Sequence, residues 1–343
     1  MVKNSYAQSK SQHTLTVVIP TYTGVDTIPN AFKSILAQES SIRYEVIVVI
    51  DGPNQQLRSV VAKYQEIFHS HGVRLRIHQF DSNQGVFQAV LKGVEIASTK
   101  KVALVSDRME LSADYFSILT KSNEEIVIPN ILEKKANNPV SHTLYLIRKK
   151  VYGKRSQRSY HISAKNFEKS EKGTGGLYID RKLFIAASNS VLSAGIDAQN
   201  VSDDTKLFKE LIDQGKSIYK NANLKAYYFP RELLWEELIH VYKRGPKFVD
   251  YYIHPKTRYF LPLILTIFVS VITAILLIVK LSVLFLLFII LYLTIISSLY
   301  LSEKPIDILK LLWTVPLIAG TFYLGIIRGL IIYFTDAKTN KIS

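Results

Sequence analysis

Several polar residues of this chain stand where a short apolar run stops. Thr21 and Tyr22 follow LTVVI (residues 15–19), Asp51 and Gly52 follow EVIVVI (45–50), and Ser106, Asp107 and Arg108 follow residues 102–105. A carboxylate accepts hydrogen bonds or a proton, an aromatic face stacks on a flat ring, and a guanidinium grips phosphate oxygens. Each also has a plainer reading: Asp-Gly-Pro is turn chemistry, a loop tyrosine packs, and an aspartate after a strand caps the next helix. Three such groups at one edge are harder to explain that way. Further along, Asp203 and Asp204 precede the helically spaced Leu207, Leu211 and Ile212. Ser-Asp-Asp-Thr there makes a good helix start, with carboxylates at the positive end of the dipole. Cysteine is absent, which excludes disulfides, thiolate nucleophiles and cysteine-ligated zinc.

The elements that must position these groups are legible from periodicity. The runs at 15–19 and 45–50 are β-branched and bounded by turn residues, as buried parallel strands are. Residues 26–38 carry Ile28, Phe32, Ile35 and Leu36 at helical spacing, 85–98 read as a second helix, and 74–78 and 102–105 as further strands. The β-α-β-α-β order predicts an α/β fold with a doubly wound, mostly parallel sheet, whose ligands sit beyond the carboxyl ends of the strands.

The chain has 343 residues, and 43 lysines and arginines against 28 acidic residues give it a charge of +15. That balance suits nucleic acid, anionic lipid or a phosphorylated substrate, and the apolar C-terminal part favours lipid. No nucleic-acid recognition motif is present, so no nucleic-acid partner is expected. Residues 259–279 and 281–301 are apolar runs separated by Lys280, each long enough to cross about 30 Å of hydrocarbon, with a turn expected at 280–282. A third run at 311–334, interrupted by Pro316 and Arg328, crosses or lies along the interface, and its Gly325 and Gly329 form a GxxxG pair suited to close helix packing. Lys243, Arg244, Lys247, Lys256 and Arg258 precede the first span, so the positive-inside rule puts the large domain in the cytoplasm. The residues before Leu15 are polar and hold no apolar run of signal-peptide length, which agrees. The expected organisation is a polar tail (1–14), a catalytic domain (15–254), a helical multi-pass region in the cell membrane (255–335) and a C-terminal tail (336–343).

Over residues 15–246 the chain resembles the family 2 glycosyltransferases, enzymes of the glycosyltransferase A fold. The strings that carry the likeness are VVIPTYTG (17–24), SILAQ (34–38), YEVIVVIDG (44–52), NQGVFQAVLKG (83–93), VALVSDRMELSADYF (102–116) and SDDTKLFKELIDQG (202–215), in the family's order and spacing. The resemblance implies a nucleotide-sugar donor bound by Pro20, Tyr22, Asp51, Asn83, Gly85 and Asp107, with Tyr22 against the base and Asp51 accepting its hydrogen bonds. Asp204 matches the catalytic base, with Asp203 beside it on the acceptor side. Gly175 and Gly176, within GTGGLYIDR (173–181), match a glycine-containing acceptor-side segment; their glycines suit either a backbone approached by sugar or a flexible turn.

The sequence departs from the family at its DxD signature, whose carboxylates hold a divalent metal; here it reads Ser106-Asp107-Arg108. The expectation is that Arg108 itself neutralises the departing nucleoside diphosphate and serves as a catalytic residue. Two alternatives stay open: Asp107, with Glu110, as a weak Mg2+ or Mn2+ site, and an inactive site. The QxxRW motif of processive synthases is missing from LIHVYKRG (238–245), which points to transfer of one sugar, by inversion, onto a hydroxyl of a lipid-linked saccharide or other envelope glycan. The competing readings are a polyprenyl-phosphate glycosyltransferase and a non-catalytic nucleotide-sugar-binding membrane protein. The basic stretch 148–172 shows no clear period and suits anionic headgroups, a lipid-linked pyrophosphate or a solvated loop.

Overall fold

The computed structural model describes residues 14–134, 137–193, 202–278 and 283–339. They divide into two compact units. One holds the described residues up to Pro129 with Thr174–Ser188 and Asn223–Ala226; the other holds Asn130–Gly173, Asn189–Ala222 and everything from Tyr227 onward.

The first unit begins with β1 (Leu15–Thr21), α1 (Ile28–Leu36), β2 (Tyr44–Ile50), α2 (Gln55–Ser70), β3 (Arg74–Gln79), α3 (Val86–Glu95) and β4 (Lys101–Leu104). Continuing along the chain are β5 (Met109–Leu111), α4 (Tyr115–Lys121), β6 (Val127–Glu133), α5 (Pro139–Ser156), β7 (Tyr160–Ile162), β8 (Tyr178–Asp180), α6 (Arg181–Ser193), α7 (Asp203–Asp213) and β9 (Ile218–Tyr228). The sheet order is β3-β2-β1-β4-β8-β6-β9-β5, and β7 pairs with β9 off this path.

The first four strands of that order are parallel, Val17 lying opposite Val46 on one side and Ala103 on the other. The inner residues of β1, β2 and β4 are buried on both faces, as runs of Val, Ile and Leu between two layers of helix must be, whereas the edge strand β3 buries only Leu75. Beyond β4 the sheet turns mixed, because β8 runs antiparallel to both β4 and β6. The chain steps outward from β1 to β2 to β3 and then returns to β4 on the far side of β1, so the order reverses between β1 and β4. Right-handed crossovers put α1 and α2 on one face and α3 on the other. Phe32 of α1 meets Tyr64 and Phe68 of α2 at ring distances of 4.9 and 5.4 Å. On the opposite face Gly93 brings α3 down onto β1: a Cβ there would run into Val18 and come within 3.1 Å of Val49 Cγ2.

Beneath the sheet, at the amino ends of its strands, Glu45 is buried and ties the layers together. Its Oε1 accepts from Thr16 Oγ1 (2.8 Å), Ser98 N (2.8 Å), Ser98 Oγ (2.7 Å) and Arg76 Nη2 (3.2 Å). Burial alone would raise its pKa; the Ser98 and Thr16 hydrogen bonds and the Arg76 charge outweigh this and lower it.

In the second unit the stretch without visible period contains ordered elements: α5 covers 148–156, β7 follows, and Phe167–Lys169 forms a short 3-10 helix. Asn138 caps α5, its Oδ1 accepting from Val140 N (2.8 Å) and Ser141 N (3.1 Å). The chain ends with α8 (Leu234–Tyr252), α9 (Phe260–Ile278), α10 (Val283–Leu301) and α11 (Pro305–Thr339). The expected turn at 280–282 lies outside the described residues. The third apolar run starts earlier than its pattern suggested and passes through both interruptions as one helix. Pro316 removes a single amide donor, and Arg328 sits over the Tyr242 ring of α8 at 5.5 Å, which gives the charge a partner. Among the described residues one helix, Pro305–Thr335, is long and apolar enough to cross a membrane; Phe260–Ser270 and Ile289–Leu301 are shorter apolar helices.

The GxxxG pair packs as its spacing implies. A Cβ on Gly245 of α8 would lie 2.5 Å from Gly325 Cα, and one on Gly329 would lie 2.7 Å from Pro246 Cα, so the two helix backbones touch. Around this contact Val249, Leu263 and Ile326 form one apolar cluster, and Val140, Leu238, Val241 and Ile318 another. Thr143 of α5 hydrogen-bonds Thr314 of α11 at 2.7 Å.

Candidate active site

In a doubly wound sheet the crevice for a ligand opens where strand order reverses, beyond the carboxyl ends of β1 and β4. Thr21 closes β1, and its Oγ1 donates to Asp107 Oδ2 at 2.6 Å across that reversal. Beside this bond Gly24 leaves no room for a side chain: a Cβ would lie 2.6 Å from Thr21 Oγ1 and 2.8 Å from Asp107 Cγ. Ser106 Oγ accepts from Arg108 N at 3.2 Å and lies 3.4 Å from Asp107 Oδ1, which shapes the turn carrying Asp107 and the half-buried Arg108. Pro20 precedes Thr21 in β1, opposite Val49.

Asp51, buried at the end of β2, accepts Gln84 N on Oδ1 (2.7 Å) and Gly85 N on Oδ2 (3.0 Å). It thereby holds the first turn of α3, whose start is Gly85 in a left-handed conformation (φ 92°). Burial pushes the Asp51 pKa up, and the two amides pull against it without cancelling it. Each carboxylate oxygen keeps a second lone pair for a further donor. Gly52 (φ 115°) brings this turn against the neighbouring loop, where a Cβ would lie 3.2 Å from Asn83 N. Asn83 is exposed, and Tyr22 is 48% exposed. Asn54 links two loops, its Nδ2 donating to Tyr22 O (2.9 Å) while its Oδ1 caps α2 through Leu57 N (2.9 Å).

The Gly175–Gly176 turn belongs to the same edge. Gly176 N donates to Leu104 O at the end of β4 (2.6 Å), and Gly176 O accepts from Tyr115 OH (2.7 Å). Gly176 is buried with φ 78°, and a Cβ there would lie 2.5 Å from Pro129 Cγ. Close protein packing and a left-handed turn therefore account for this glycine, and both its backbone polar groups are engaged.

Asp203 and Asp204 are in the second unit, at the first two positions of α7, with Leu207, Phe208, Leu211 and Ile212 buried behind them. Ser202 holds the N-cap position, but its hydroxyl makes no cap bond. Its backbone instead donates to Asp250 Oδ2 at 2.8 Å, and Lys206 reaches Asp250 Oδ1 at 2.7 Å, so Asp250 fixes where α7 starts. Of the two residues expected to cap this helix, Ser202 or Asp203, Ser202 holds the N-cap position without a side-chain cap bond, and Asp250 anchors its backbone.

The sequence brings together Thr21 with Asp107 and Asp51 with Gly85, as their strand-end positions require. Asn54, Gln84 and Gly24 were not singled out. The side chain of Asn54 bonds backbone groups and Gln84 acts through its own amide, contacts that leave no motif, whereas at Gly24 only the lack of Cβ matters. Among the described residues no three histidine, aspartate or glutamate side chains assemble to hold a metal. Asp107 offers one carboxylate, one oxygen of which carries the Thr21 hydroxyl, next to a guanidinium-bearing residue. A divalent cation here would have this one carboxylate as its protein ligand and would take the rest of its oxygen shell from a donor diphosphate and water.

Residues 16–174 match the family model described as Glycosyl transferase family 2. No curated protein matches the chain. Among solved structures the chain is similar to S. aureus TarS 1–349 in complex with UDP-GlcNAc, with 12% identity over 69% of this chain and 67% of that one, at a TM-score of 0.48. It is also similar to GalNAc-T7 with UDP, GalNAc and Mn2+, with 11% identity over 69% and 50%, at a TM-score of 0.47. The match covers a glycosyltransferase domain over residues 16–174, carried on a mixed α/β sheet that a helical region follows.

Proposed function

We propose, with the family 2 glycosyltransferase domain as premise, that this protein is a membrane-anchored inverting enzyme that moves one sugar from a nucleotide-sugar donor to a hydroxyl of a lipid-linked saccharide or other envelope glycan. The observation that carries the donor side is the pair of strand-end carboxylates at the sheet's reversal, Asp107 on Thr21 and Asp51 on the start of α3. In this reading Tyr22 stacks on the base and Asp51 accepts from its ring N–H. Asp107 and Arg108 face the diphosphate, and the guanidinium takes up the charge that develops on the leaving group. Asp204 removes the proton of the attacking hydroxyl as the bond to the anomeric carbon forms and the nucleoside diphosphate departs. Retention of that carboxylate favours a hydroxyl acceptor over a polyprenyl phosphate, which is ionised already. The apolar helices, with Pro305–Thr335 long enough to span, anchor the catalytic part at the cytoplasmic face.

The test pairs two variants with a chelator. Asp204→Asn is expected to keep nucleotide-sugar binding and lose transfer by about 10²- to 10⁴-fold. Arg108→Ala is expected to lower turnover by about 10²- to 10³-fold, and excess chelator to leave wild-type turnover intact. Abolition by chelator would sink the arginine assignment. A wild type that binds a nucleoside diphosphate yet neither transfers nor slowly hydrolyses any donor sugar would sink the enzyme reading.

A further inference from the structure

A second set of charges gathers away from the strand-end site, within the second unit. It is built from Glu133 at the end of β6, Arg148 on α5, Tyr228 at the end of β9, Arg231 in the following loop, and Glu237, His240, Arg244 and Lys247 along α8. The residues on α8 recur at spacings of three and four, so they share one stripe of the helix. The other side of α8 is committed to apolar packing through Leu238 and Val241.

The pairing inside this set is uneven. Glu133 is engaged by Arg148 in an ion pair. Glu237 is buried, accepts from Ser141 Oγ (3.3 Å) and lies 3.9 Å from Arg231 Nη1. Arg231 is held in place through its own carbonyl, which accepts from Asn138 Nδ2 (3.0 Å) and Ser141 Oγ (3.2 Å). Each carboxylate thus has its own guanidinium already. Arg244 makes no hydrogen bond or ion pair among the described residues; Arg148 and Arg231 act on it as like charges, and Tyr228 and Glu237 act on it in the opposite sense. It is exposed, and desolvation by the protein packed around it is the first cause that lowers its pKa. His240, half-buried in the same stripe, is driven to the neutral form by burial and by Arg244, Arg231, Lys247 and Arg148. Positive groups crowded this way repel one another until an anion enters.

The surroundings say where the anion comes from. α8 lies backbone to backbone against α11, the helix long enough to span a bilayer. At its start Leu233 and Trp235 stand 63% and 70% exposed, as apolar and aromatic groups do at headgroup level. We propose that Arg244, flanked by Arg148, Arg231 and Lys247, forms a binding site for the phosphate or diphosphate group of a lipid. The assignment rests on the transferase reading only in taking that lipid to be the acceptor's anchor. A guanidinium fork suits phosphate oxygens, and Arg244 has all five of its N–H donors to give.

The experiment uses the full chain in detergent micelles and isothermal titration with two probes, inorganic pyrophosphate and farnesyl diphosphate. Wild type is expected to bind both, with farnesyl diphosphate the tighter if the ligand is lipid-borne; equal affinities assign the site to a free phosphate-bearing molecule. Arg244→Gln is expected to weaken both by about tenfold or more, and Arg244→Lys by less, since it keeps the charge and loses the fork. Lys149→Gln, on α5 in an exposed ion pair with Glu303, makes the same charge change outside the cluster and is expected to bind like wild type. Should Arg244→Gln fail to fold, Arg244→Lys carries the test. No binding by wild type, unchanged binding by the Arg244 variants, or an equal loss in Lys149→Gln overturns the site. Because binding is read with no donor and no turnover, a chain that binds diphosphate but transfers no sugar counts against the transferase reading alone.

Discussion

The bond between Thr21 and Asp107 joins two sides of the proposed donor site, and two substitutions reach it by different routes. Thr21→Val removes the donor hydroxyl at nearly constant volume; loss of a hydrogen bond to a charged acceptor costs about 1.5–3 kcal/mol. Gly24→Ala leaves both partners present but inserts a methyl 2.6 Å from Thr21 Oγ1 and 2.8 Å from Asp107 Cγ, so the carboxylate must swing away and the same bond goes. A smaller opposite effect, about 0.4–1 kcal/mol, comes from the stiffer unfolded chain, leaving a net loss of about 1–2 kcal/mol. For a unit of this size that lowers the melting temperature by on the order of 5 °C. The informative measurement is the double variant. If both substitutions act by breaking one bond, the double loses little more than the worse single, with a coupling of about 1.5–3 kcal/mol. Far-ultraviolet circular dichroism should follow the melt, because both tryptophans, Trp235 and Trp313, lie in the second unit and their fluorescence reports on the wrong part. The donor KM should rise in step in all three variants. Additive losses in the double, or a Gly24→Ala protein as stable as wild type, would refute the reasoning.

Gly245→Ala pushes a methyl into the Gly325 backbone, which cannot rotate away, and is expected to lower stability by about 1–3 kcal/mol in a thermal melt, whereas Gly215→Ala is strained only by its φ of 78°, with nothing within 4 Å to hit. For His240 the folded pKa is depressed while the unfolded side chain takes up a proton near pH 6.5, so its contribution is complete above that pH and falls by up to about 1.4 kcal/mol per unit below it. His240→Gln should flatten the acid limb of a stability-against-pH curve; an unchanged limb counts against burial of the neutral ring. Asp51 has a raised pKa and must be ionised to accept from a base, so donor affinity should weaken on acidification at a higher pH than an ordinary aspartate would set, read as Kd against pH.

Much of the first unit was legible because its signals are local. The apolar runs at β1, β2 and β4 and the helical spacing in α1 and α3 report burial directly, and their order dictates the reversal that places Thr21, Asp51 and Asp107 at one edge. α2 escaped notice although Leu57, Val61 and Phe68 keep a helical face, because the charged residues between them mask it. Likewise α5 reads as a basic stretch: its buried Val140, Leu146 and Thr143 meet partners far along the chain, so no periodicity announces them. The antiparallel half of the sheet was illegible for the same reason, since three-residue strands such as β5, β7 and β8 carry too little pattern to register. At the site, types and positions were visible but bonds were not: nothing in Asp-Gly-Pro tells that Asp51 grips the start of α3.

The glycine seam between α8 and α11 bears on how this molecule can be handled. A fragment cut before Pro305 to obtain a soluble catalytic piece would strip α8 of its partner and bare a furrow lined by Tyr242, Gly245, Pro246 and Val249, cut to the width of another backbone. Such a groove has no polar substitute and invites self-association. The hydrophobic end of the chain is therefore a load-sharing part of the second unit, and shortening it removes a wall rather than a tether.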